Sequence, residues 1–543
     1  MPSINNANLA AFAQASANQS LRGILRGLEK ESLRITPTGD LAQTDHPAGL
    51  GSALKHPHIT TDYSESLLEF ITEPFSDIST LLQQLDDIHR FTYQELARTG
   101  ERLWPSSMPS HLPPDAQIPV ARYGSSNIGT MKTIYRVGLG HRYGRSMQTI
   151  AGVHYNFSLP DDFWRELQQL EGDTRDLQTF KTLRYFALIR NFRRYFWLLV
   201  YLFGAAPAVS NNFVEGRKHR LQPQGDDSQH LPFATSLRMG DLGYQSDAQQ
   251  SLFVCYNNLN SYVRTLCGAI TRPHPAYETI GIKDEQGHYK QLNTSLLQIE
   301  NEFYSSIRPK RTAQTGETAL QALRLRGVEY IEVRCVDLNP YEPLGVSAEQ
   351  LRVIDAFLLS CLLSDSPETS LDEYAEWLEN QKRIVYLGRD PELRLLRQGE
   401  EIRFKEWAND ILNNALACAR LLDQANGGED YVTAVSRQFP KLDNPALTPS
   451  ARVLTDMKTQ GKSFFEHSLS LAEQHRQFFA EKPLSPATSE KFRAMTAQSL
   501  AEQQQLEQAP QIPFDQYLEN YYQQYHSCNC TPVDSSEKQN APC

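Results

Sequence analysis

Carboxylates interrupt three otherwise apolar segments of this chain at the spacing of a strand or a helical turn. The segments are Gly27-Leu28-Glu29-Lys30-Glu31-Ser32-Leu33-Arg34, Thr61-Asp62-Tyr63-Ser64-Glu65-Ser66-Leu67-Leu68-Glu69-Phe70 and Tyr330-Ile331-Glu332-Val333-Arg334. Solvated faces would show more mixed polar residues, so we expect these carboxylates to serve a site. Hard divalent cations bind several oxygen ligands, and nucleotide enzymes hold Mg²⁺ between carboxylates and phosphates. The pattern therefore predicts an enzyme with an ATP-consuming site.

Two of these segments are predicted to be strands. Side chains two residues apart in a strand point the same way, so Glu29 lies beside Glu31, and Glu332 beside Arg334. This arrangement predicts a metal-binding face with a phosphate-binding arginine next to it. Taken alone, a Glu pair on a strand is more often a solvated face, and that alternative stays open.

The middle segment is predicted to add further ligands. Asp62, Glu65 or Ser66, and Glu69 fall on one side of a helical turn. We therefore expect this turn to present its oxygen atoms to the same metal site.

A third strand is predicted at 153–158. Its residues alternate, so that His154, Asn156 and Ser158 lie on a polar face and the apolar residues between them on a core face. His154 could complete the site as an imidazole ligand, although a lone histidine is more often a hydrogen-bonded filler.

The rest of the chain alternates helices and strands and then becomes helical. Helices are predicted over 5–22, 77–99, 180–203 and almost continuously from 347 to about 508, and strands over 27–35, 153–158 and 327–338. No internal repeat or long Gly/Ser linker interrupts the chain. We therefore expect one unit over 1–527, mixed α+β to about residue 340 and mainly helical over 341–527. The polar tail, 528–543, is predicted to be disordered.

Composition limits the partners of the protein. The chain has 543 residues, 40% of them apolar, and a net charge of -11 with dispersed basic residues. This balance argues against a nucleic acid or an anionic membrane as partner and favours a small-molecule substrate. The N-terminus lacks the features of a signal peptide, and no segment sustains the ~18 apolar residues of a membrane helix. The predicted location is the cytoplasm.

Five cysteines sit singly among apolar neighbours. They are Cys255, Cys267, Cys335, Cys361 and Cys418, and their spacing does not match a zinc site. We expect them to be reduced residues of the core.

Five longer motifs, in order along the chain, carry a family resemblance. They are the segment at 27–34, Ile59-Thr60-Thr61-Asp62-Tyr63-Ser64-Glu65-Ser66-Leu67-Leu68-Glu69-Phe70, Met147-Gln148-Thr149-Ile150-Ala151-Gly152-Val153-His154-Tyr155-Asn156-Phe157-Ser158, Gln298-Ile299-Glu300-Asn301-Glu302-Phe303-Tyr304 and Ile307-Arg308-Pro309-Lys310-Arg311. Together they resemble the bacterial type of glutamate–cysteine ligase. The similarity runs from about residue 21 to about residue 428, and several motifs are long enough to be specific.

The resemblance implies a fold and a reaction. The fold would be α+β, like the glutamine synthetase catalytic domain, with a curved, mainly antiparallel sheet forming a funnel, helices packed outside and a helical C-terminal part. The reaction would join the γ-carboxylate of L-glutamate to the amine of L-cysteine through γ-glutamyl phosphate, giving γ-glutamylcysteine, ADP and phosphate. This is the first step of glutathione biosynthesis. ATP would be a co-substrate and Mg²⁺ the cofactor, with Mn²⁺ as the alternative ion. The oligomeric state stays open, and a monomer is compatible with the sequence.

The resemblance also implies roles for individual residues. The metal ligands would be Glu29, Glu31, Asp62, Glu69, His154 and Glu332. Glu332 and Arg334 would be catalytic, and the nucleotide would contact Arg334, Lys310 and Arg311. Glutamate would be recognised by Gln148 and Asn156, and the cysteine pocket would be lined by Tyr135, Arg136, Arg238, Tyr244 and Tyr304.

Two alternatives remain. One is a glutamate–amine ligase of the same fold with another acceptor, which would differ in the acceptor pocket and not in the metal ligands. The other is a catalytically inactive relative that acts as a regulator. Retention of all six implied metal ligands and Arg334 argues against the second alternative, because a protein that only binds has no need of a phosphoryl-transfer site.

Overall fold

The architecture was analysed on a computed structural model, which describes residues 4–243, 249 and 252–526. In these residues the strands are β1 Leu25–Ile35, β2 Ile59–Thr61, β3 Leu67–Ile71, β4 Arg102–Leu103, β5 Val153–Ser158, β6 Ala208–Ser210, β7 Gln222–Pro223, β8 Ser228–His230, β9 Ile307–Lys310, β10 Tyr330–Val336, β11 Arg394–Arg397 and β12 Glu400–Arg403. The α-helices are α1 Asn6–Phe12, α2 Ala15–Gln19, α3 Ile78–Leu96, α4 Asn127–Tyr143, α5 Asp161–Glu171, α6 Leu177–Tyr195, α7 Trp197–Phe203, α8 Asn211–Val214, α9 Leu259–Thr271, α10 Pro275–Ile280, α11 Ala319–Arg326, α12 Ala348–Leu363, α13 Leu371–Leu387, α14 Phe404–Asn426, α15 Asp430–Ser436, α16 Phe439–Asp443, α17 Pro449–Gln460, α18 Phe464–Glu481, α19 Pro486–Gln508 and α20 Phe514–His526.

A seven-stranded sheet forms the centre of the molecule. Its order is β2-β3-β1-β5-β10-β9, with β4 pairing with the end of β1. All its neighbouring strands run antiparallel. The predicted α+β class with a mainly antiparallel sheet is therefore confirmed. Because β1 pairs with β3 on one side and β5 on the other, its side chains meet residues from both.

A buried ion pair joins helix α12 to one face of this sheet. The Arg26 guanidinium on β1 lies 2.7 Å from the Asp355 carboxylate on α12. Tyr155 on β5 donates its hydroxyl proton to the same carboxylate. A buried charge is tolerated only when it is paired and hydrogen-bonded. This network therefore ties two central strands to the helix and leaves the opposite face for polar groups.

The predicted strands at 27–35, 153–158 and 327–338 are confirmed as β1, β5 and β10. On β5 the apolar residues Val153, Tyr155 and Phe157 are fully buried, as their alternation predicts. The predicted helix at 77–99 is α3, and the one at 180–203 corresponds to α6 and α7. The helix predicted at 5–22 is broken into α1, α2 and a short 3₁₀ turn, because Gln14 adopts an extended backbone.

The helical turn predicted for Asp62 to Glu69 is wrong. β2 and β3 form an antiparallel hairpin in which Thr60 pairs with Glu69. The intervening residues close a tight turn, with the Leu67 amide donating to the Ser64 carbonyl at 2.9 Å. Glu65 instead accepts hydrogen bonds from the backbone amides of His46 and Arg122. Asp62 and Glu69 therefore reach the site from a hairpin, and Glu65 serves the loop around it.

A β-hairpin interrupts the nearly continuous helix that is predicted after residue 347. β11 and β12 form a hairpin whose two-residue turn is Gln398-Gly399, and both residues have positive φ, 53° and 81°. Such turns match the twist of the flanking strands. The strands are short and charged, so periodicity alone did not distinguish them from helix.

The cysteines differ in part from the prediction. Cys335, Cys361 and Cys418 are free and buried, as expected. Cys255 and Cys267 are disulfide-bonded, so the prediction of five reduced cysteines is wrong for these two. Both lie in the core, where an apolar sequence context fits a disulfide as well as a thiol.

No helix in the described part of the chain is both long and apolar enough to cross a membrane. The predicted single unit over 1–527 stays a prediction, and the tail at 528–543 lies outside the described residues.

His56 is hydrogen-bonded to the backbone where the β2–β3 hairpin begins. Its Nδ1 atom accepts the backbone amide protons of His58 and Ile59 at 3.2 and 3.0 Å, which requires a neutral ring nitrogen. Burial, followed by the nearby His58, lowers the pKa of His56 to about 4. The unfolded chain therefore binds this proton at a higher pH than the folded protein does.

We expect His56→Asn, which keeps a short acceptor without titrating, to remove part of the acid sensitivity of the fold. As the pH falls from about 6.5 to about 4, wild type should lose up to about 1.4 kcal/mol of unfolding free energy per pH unit relative to the variant. Urea unfolding at a series of pH values measures this difference. His219→Asn, at an exposed position, should follow wild type, and parallel curves for wild type and His56→Asn would contradict the prediction.

Candidate active site

Strand register brings the predicted carboxylates and the histidine onto one face of the sheet. Glu31 on β1 is directly opposite Glu69 on β3. Glu29 on β1 is directly opposite His154 on β5. Residues paired across antiparallel strands have neighbouring side chains. Three strands therefore supply one compact group of oxygen and nitrogen ligands.

The distances within this group suit a cation. One ligand atom from each of Glu29, Glu69 and His154 lies within 4.8 Å of the other two. His154 Nδ1 is 3.2 Å from Glu29 Oε2, and His154 Nε2 is 3.6 Å from Glu31 Oε1. Carboxylate oxygens are the preferred ligands of Mg²⁺, and imidazole extends the choice toward Mn²⁺. These residues could hold a divalent cation.

The pKa values of the carboxylates in this group also indicate a site for a cation. Burial, with Glu29, Asp62 and Glu31 nearby, raises the pKa of Glu69 well above its usual value. Burial also raises the pKa of Glu31. Although burial opposes it, the hydrogen bond from His154 leaves the pKa of Glu29 lowered. The carboxylates therefore outnumber the positive charges near them, which is the environment that a dication neutralises.

Glu332 lies in the opposite, basic half of the same face. Lys310 Nζ is 3.1 Å from Glu332 Oε1, and Arg334 Nη1 is 3.2 Å from Glu332 Oε2. Burial raises the pKa of Glu332, but these cations outweigh it and hold that pKa well below the usual range. The same pairing raises the pKa of Lys310 despite burial. Glu332 is therefore ionised among charged basic groups.

Strand β5 connects the acidic and basic halves. Asn156 is paired with Glu332 on β10, and its amide donates to Glu29 Oε1 at 2.8 Å. Arg334 Nη1 lies 3.3 Å from His154 Nδ1. The surplus negative charge on β1 and β3 thus faces a positive region on β9 and β10.

A cavity of about 100 Å³ opens beside this face. Its lining includes eight of the predicted site residues: Glu31, Asp62, Tyr135, Arg136, Gln148, Arg238, Tyr304 and Arg334. Residues far apart in the sequence therefore form one pocket with a basic and aromatic wall.

The side chains of this wall are held in place by one another. Gln148 Nε2 donates to the Tyr304 hydroxyl at 2.9 Å, and Arg238 Nη2 donates to the Arg334 carbonyl at 2.9 Å. A Cβ atom on Gly152 would lie 2.1 Å from Arg238 Nη2, so only glycine permits this approach. Arg136 donates to the Asp62 carbonyl, which joins α4 to the hairpin turn.

Among the described residues, Arg311 is the predicted site residue whose contacts lie elsewhere. Arg311 donates to Gln178 at 3.3 Å and lies 3.8 Å from Glu329. It follows Lys310, the last residue of β9. Tyr244 lies outside the described residues.

Comparison with known proteins identifies the family. The family model described as glutamate-cysteine ligase matches residues 9–384. The chain belongs to the glutamate–cysteine ligase family.

Individual members of the family match over nearly their whole length. The chain is 55% identical to the glutamate–cysteine ligase of Saccharophagus degradans, covering 94% of this chain and 96% of that protein. It is 50% identical to the enzyme of Alcanivorax borkumensis, over 94% of this chain and 98% of that protein. The crystal structure of the Francisella tularensis enzyme in complex with AMP superposes with a TM-score of 0.87 at 35% identity, over 93% of this chain and 98% of that one.

Two basic residues of this family member, the buried Arg308 and the half-buried Lys132, were missed in the sequence. Arg308 is paired with Glu332 across β9 and β10, and its Nη1 lies 3.9 Å from Glu332 Oε2. Lys132 lies near Glu69 and Asp62, and burial lowers its pKa to about 8. The signals were present, because Arg308 shares a strand face with Lys310 and Lys132 is four residues before Arg136 on α4.

We expect Mg²⁺ or Mn²⁺ to stabilise the protein through the acidic half of the site. At a concentration about a hundredfold above its dissociation constant, a ligand of the folded state adds about 2.7 kcal/mol to the unfolding free energy. Glu69→Gln should reduce the rise in melting temperature caused by the ion. Without the ion the same variant should be at least as stable as wild type, because it removes one of the crowded carboxylates.

Thermal melts with added Mg²⁺ and with a chelator measure both effects. Glu73→Gln, an exposed position just after β3, is the matched control and should respond to Mg²⁺ as wild type does. An unchanged Mg²⁺ response in Glu69→Gln would contradict the assignment of this residue as a ligand.

Proposed function

We infer that this protein joins L-glutamate to L-cysteine with hydrolysis of ATP, giving γ-glutamylcysteine, ADP and phosphate. This is the reaction for which its family is named, and it is the first step of glutathione biosynthesis. The observation that carries the inference is the division of one sheet face into a carboxylate half and a basic half, next to a pocket walled by arginine and tyrosine. Phosphoryl transfer depends mainly on positioning and charge neutralisation, which such a face provides.

We propose that Glu29, Glu31, Asp62, Glu69, His154 and Glu332 hold Mg²⁺, with Mn²⁺ as an alternative. The raised pKa of Glu69 and the close approach of three ligand atoms support this assignment. The bound ion would neutralise phosphate charge and polarise the phosphoryl oxygens. AMP in the Francisella tularensis structure supports nucleotide binding by this fold.

In the first step, a γ-carboxylate oxygen of glutamate attacks the γ-phosphorus of ATP, and ADP leaves. Arg334 and Lys310, whose charges are maintained beside Glu332, would stabilise the charge on the transferred phosphoryl group. Arg308 adds positive charge behind them. The product of this step is γ-glutamyl phosphate.

In the second step, the cysteine amine attacks the acyl carbon and phosphate leaves, so that an amide bond replaces the acyl–phosphate bond. Arg238, Arg136, Tyr135 and Tyr304 would hold the acceptor, since arginine pairs with an amino-acid carboxylate. Gln148 and Asn156 would recognise glutamate. Roles for Arg311 in nucleotide binding and Tyr244 in the acceptor pocket stay predictions, and the contacts of Arg311 with Gln178 and Glu329 do not support its role.

Three further expectations accompany this proposal. The curved, funnel-shaped form of the sheet, as in glutamine synthetase, stays a prediction from the resemblance, and the strand order bears only on its mainly antiparallel character. A cytoplasmic location and the absence of nucleic-acid and membrane partners rest on the dispersed charges and the net charge of -11. A monomer is the simplest assembly in which the pocket is complete.

We expect Glu29→Gln and Glu332→Gln to lower ligase turnover by about 10²- to 10³-fold, because each removes a charge that stabilises phosphoryl transfer by several kcal/mol. Coupled measurement of ADP release and of γ-glutamylcysteine tests this. Circular dichroism should show both variants folded, although Glu332→Gln leaves Lys310 and Arg334 without their carboxylate and should melt lower.

The matched control for this experiment is again Glu73→Gln, which carries the same change at an exposed position near the site strands. Its turnover should equal that of wild type. If Glu29→Gln is folded and also keeps wild-type turnover, the proposed ligand set is wrong.

The acceptor pocket predicts a small α-amino acid with a free carboxylate as second substrate. Cysteine and 2-aminobutyrate should support ADP release with ATP, Mg²⁺ and glutamate, whereas putrescine and ammonia should not. Arg238→Gln should raise the KM for cysteine more than the KM for glutamate. Faster turnover with putrescine or ammonia than with cysteine would favour the alternative glutamate–amine ligase.

A further inference from the structure

A second cavity lies between the helical part of the molecule and the β11–β12 hairpin. It has a volume of about 590 Å³, within the range typical of small-molecule sites. Its walls come from the end of α6, from α13, from the hairpin and from Trp407 on α14. It shares no lining residue with the cavity beside the carboxylate face. The hairpin is held on α13 by Asn380, which exchanges two hydrogen bonds with the Leu396 backbone.

Two residues that line this cavity each carry a buried donor without an acceptor among the described residues. The Tyr195 hydroxyl and the Trp407 indole nitrogen make no hydrogen bond to any described residue. Tyr195 is 6% exposed and Trp407 is 5% exposed, and their ring centroids are 6.3 Å apart. Leaving a buried donor unpaired costs about 1–3 kcal/mol, and buried tyrosine and tryptophan normally find a partner. A ligand oxygen in the cavity would provide the missing acceptor.

One arginine in the same wall has no carboxylate partner. The Arg397 guanidinium lies 5.7 Å from the centre of the Trp407 ring and forms no ion pair with a described residue. Arg194, by contrast, is bound by both oxygens of Glu373, at 2.6 and 2.9 Å. Arg397 is therefore the lining cation whose charge is available to an anion.

The acidic residues of the cavity limit the charge of that anion. Glu373 is occupied by Arg194, and Glu376 accepts the backbone amide protons of Gln398 and Gly399 at 3.0 and 2.6 Å. Their negative charges remain next to the cavity, and Asp365 adds another at its rim. A doubly charged phosphate would be repelled by these groups, whereas one carboxylate matches the single free guanidinium. Pro367, Leu396 and Trp377 complete the cavity with apolar surface.

We propose that this cavity binds a small organic monocarboxylate with an apolar, ring-sized body. The carboxylate oxygens would accept hydrogen bonds from Tyr195, Trp407 and Arg397, and the body would pack against Pro367 and Trp377. The site is separate from the ligase site and does not depend on the proposed ligand set.

Calorimetric titration with phenylacetate tests the proposal on the full chain. Phenylacetate should bind saturably, and phenylacetamide, which has the same body without the charge, should bind at least about tenfold more weakly. Phenyl phosphate, with a second negative charge, should also bind at least about tenfold more weakly. Phenyl phosphate binding as tightly as phenylacetate would overturn the choice of a monocarboxylate.

Variants of residues in the cavity wall test whether phenylacetate binds in this cavity. Arg397→Gln and Tyr195→Phe should each weaken phenylacetate binding about tenfold or more, while Arg403→Gln, an exposed arginine at the end of the same hairpin, should not. Tyr195→Phe should melt no lower than wild type, because the hydroxyl it removes has no partner. Binding should persist in Glu332→Gln, which separates this cavity from the ligase site. No saturable binding to wild type, or equal binding to wild type and Arg397→Gln, would overturn the proposal.

Discussion

The register of β1 against β3 and β5 is the constraint on which the rest of the site depends. It places Glu31 opposite Glu69 and Glu29 opposite His154, so that carboxylate and imidazole side chains from three strands meet on one face. A slip of one residue would turn both β1 carboxylates into the core and bring Lys30 to the site. The register is fixed because the other face of β1 is buried, with Arg26 paired to Asp355 on α12.

Charge is distributed unevenly on this face, and the imbalance is useful for phosphoryl transfer. Glu69 carries a raised pKa because other carboxylates surround it, whereas Glu332 carries a lowered one because Lys310 and Arg334 adjoin it. If each carboxylate had its own cation, neither a metal ion nor a phosphate would gain much by binding. The separation leaves one half for a cation and the other for an anion. Asn156 lies between the two halves, since it donates to Glu29 and is paired with Glu332 across β5 and β10.

In the second cavity, as in the carboxylate face, groups without a partner indicate what can bind there. In the ligase site, an excess of charges of one sign marks the place for a counter-ion. In the cavity near the β11–β12 hairpin, unpaired donors and one guanidinium mark the place for an acceptor. Buried polar groups without partners are costly, so their convergence in a cavity indicates a ligand more specifically than the volume of the cavity does.

The sequence by itself determined the strands that carry Glu29, Glu31 and Glu332, the class of the fold and the family. Alternation at 27–35 and 153–158 is a local property, so both strands and their polar faces could be predicted. The hairpin at 59–71 could not, because its carboxylates suit helical spacing as well as a turn, and only pairing of β3 with β1 decides between them. The contribution of Arg308 was likewise set by pairing across β9 and β10, which places it opposite Glu332. The cavity at Trp407 joins residues more than two hundred positions apart, and a contact of that kind exists only once the helices have packed.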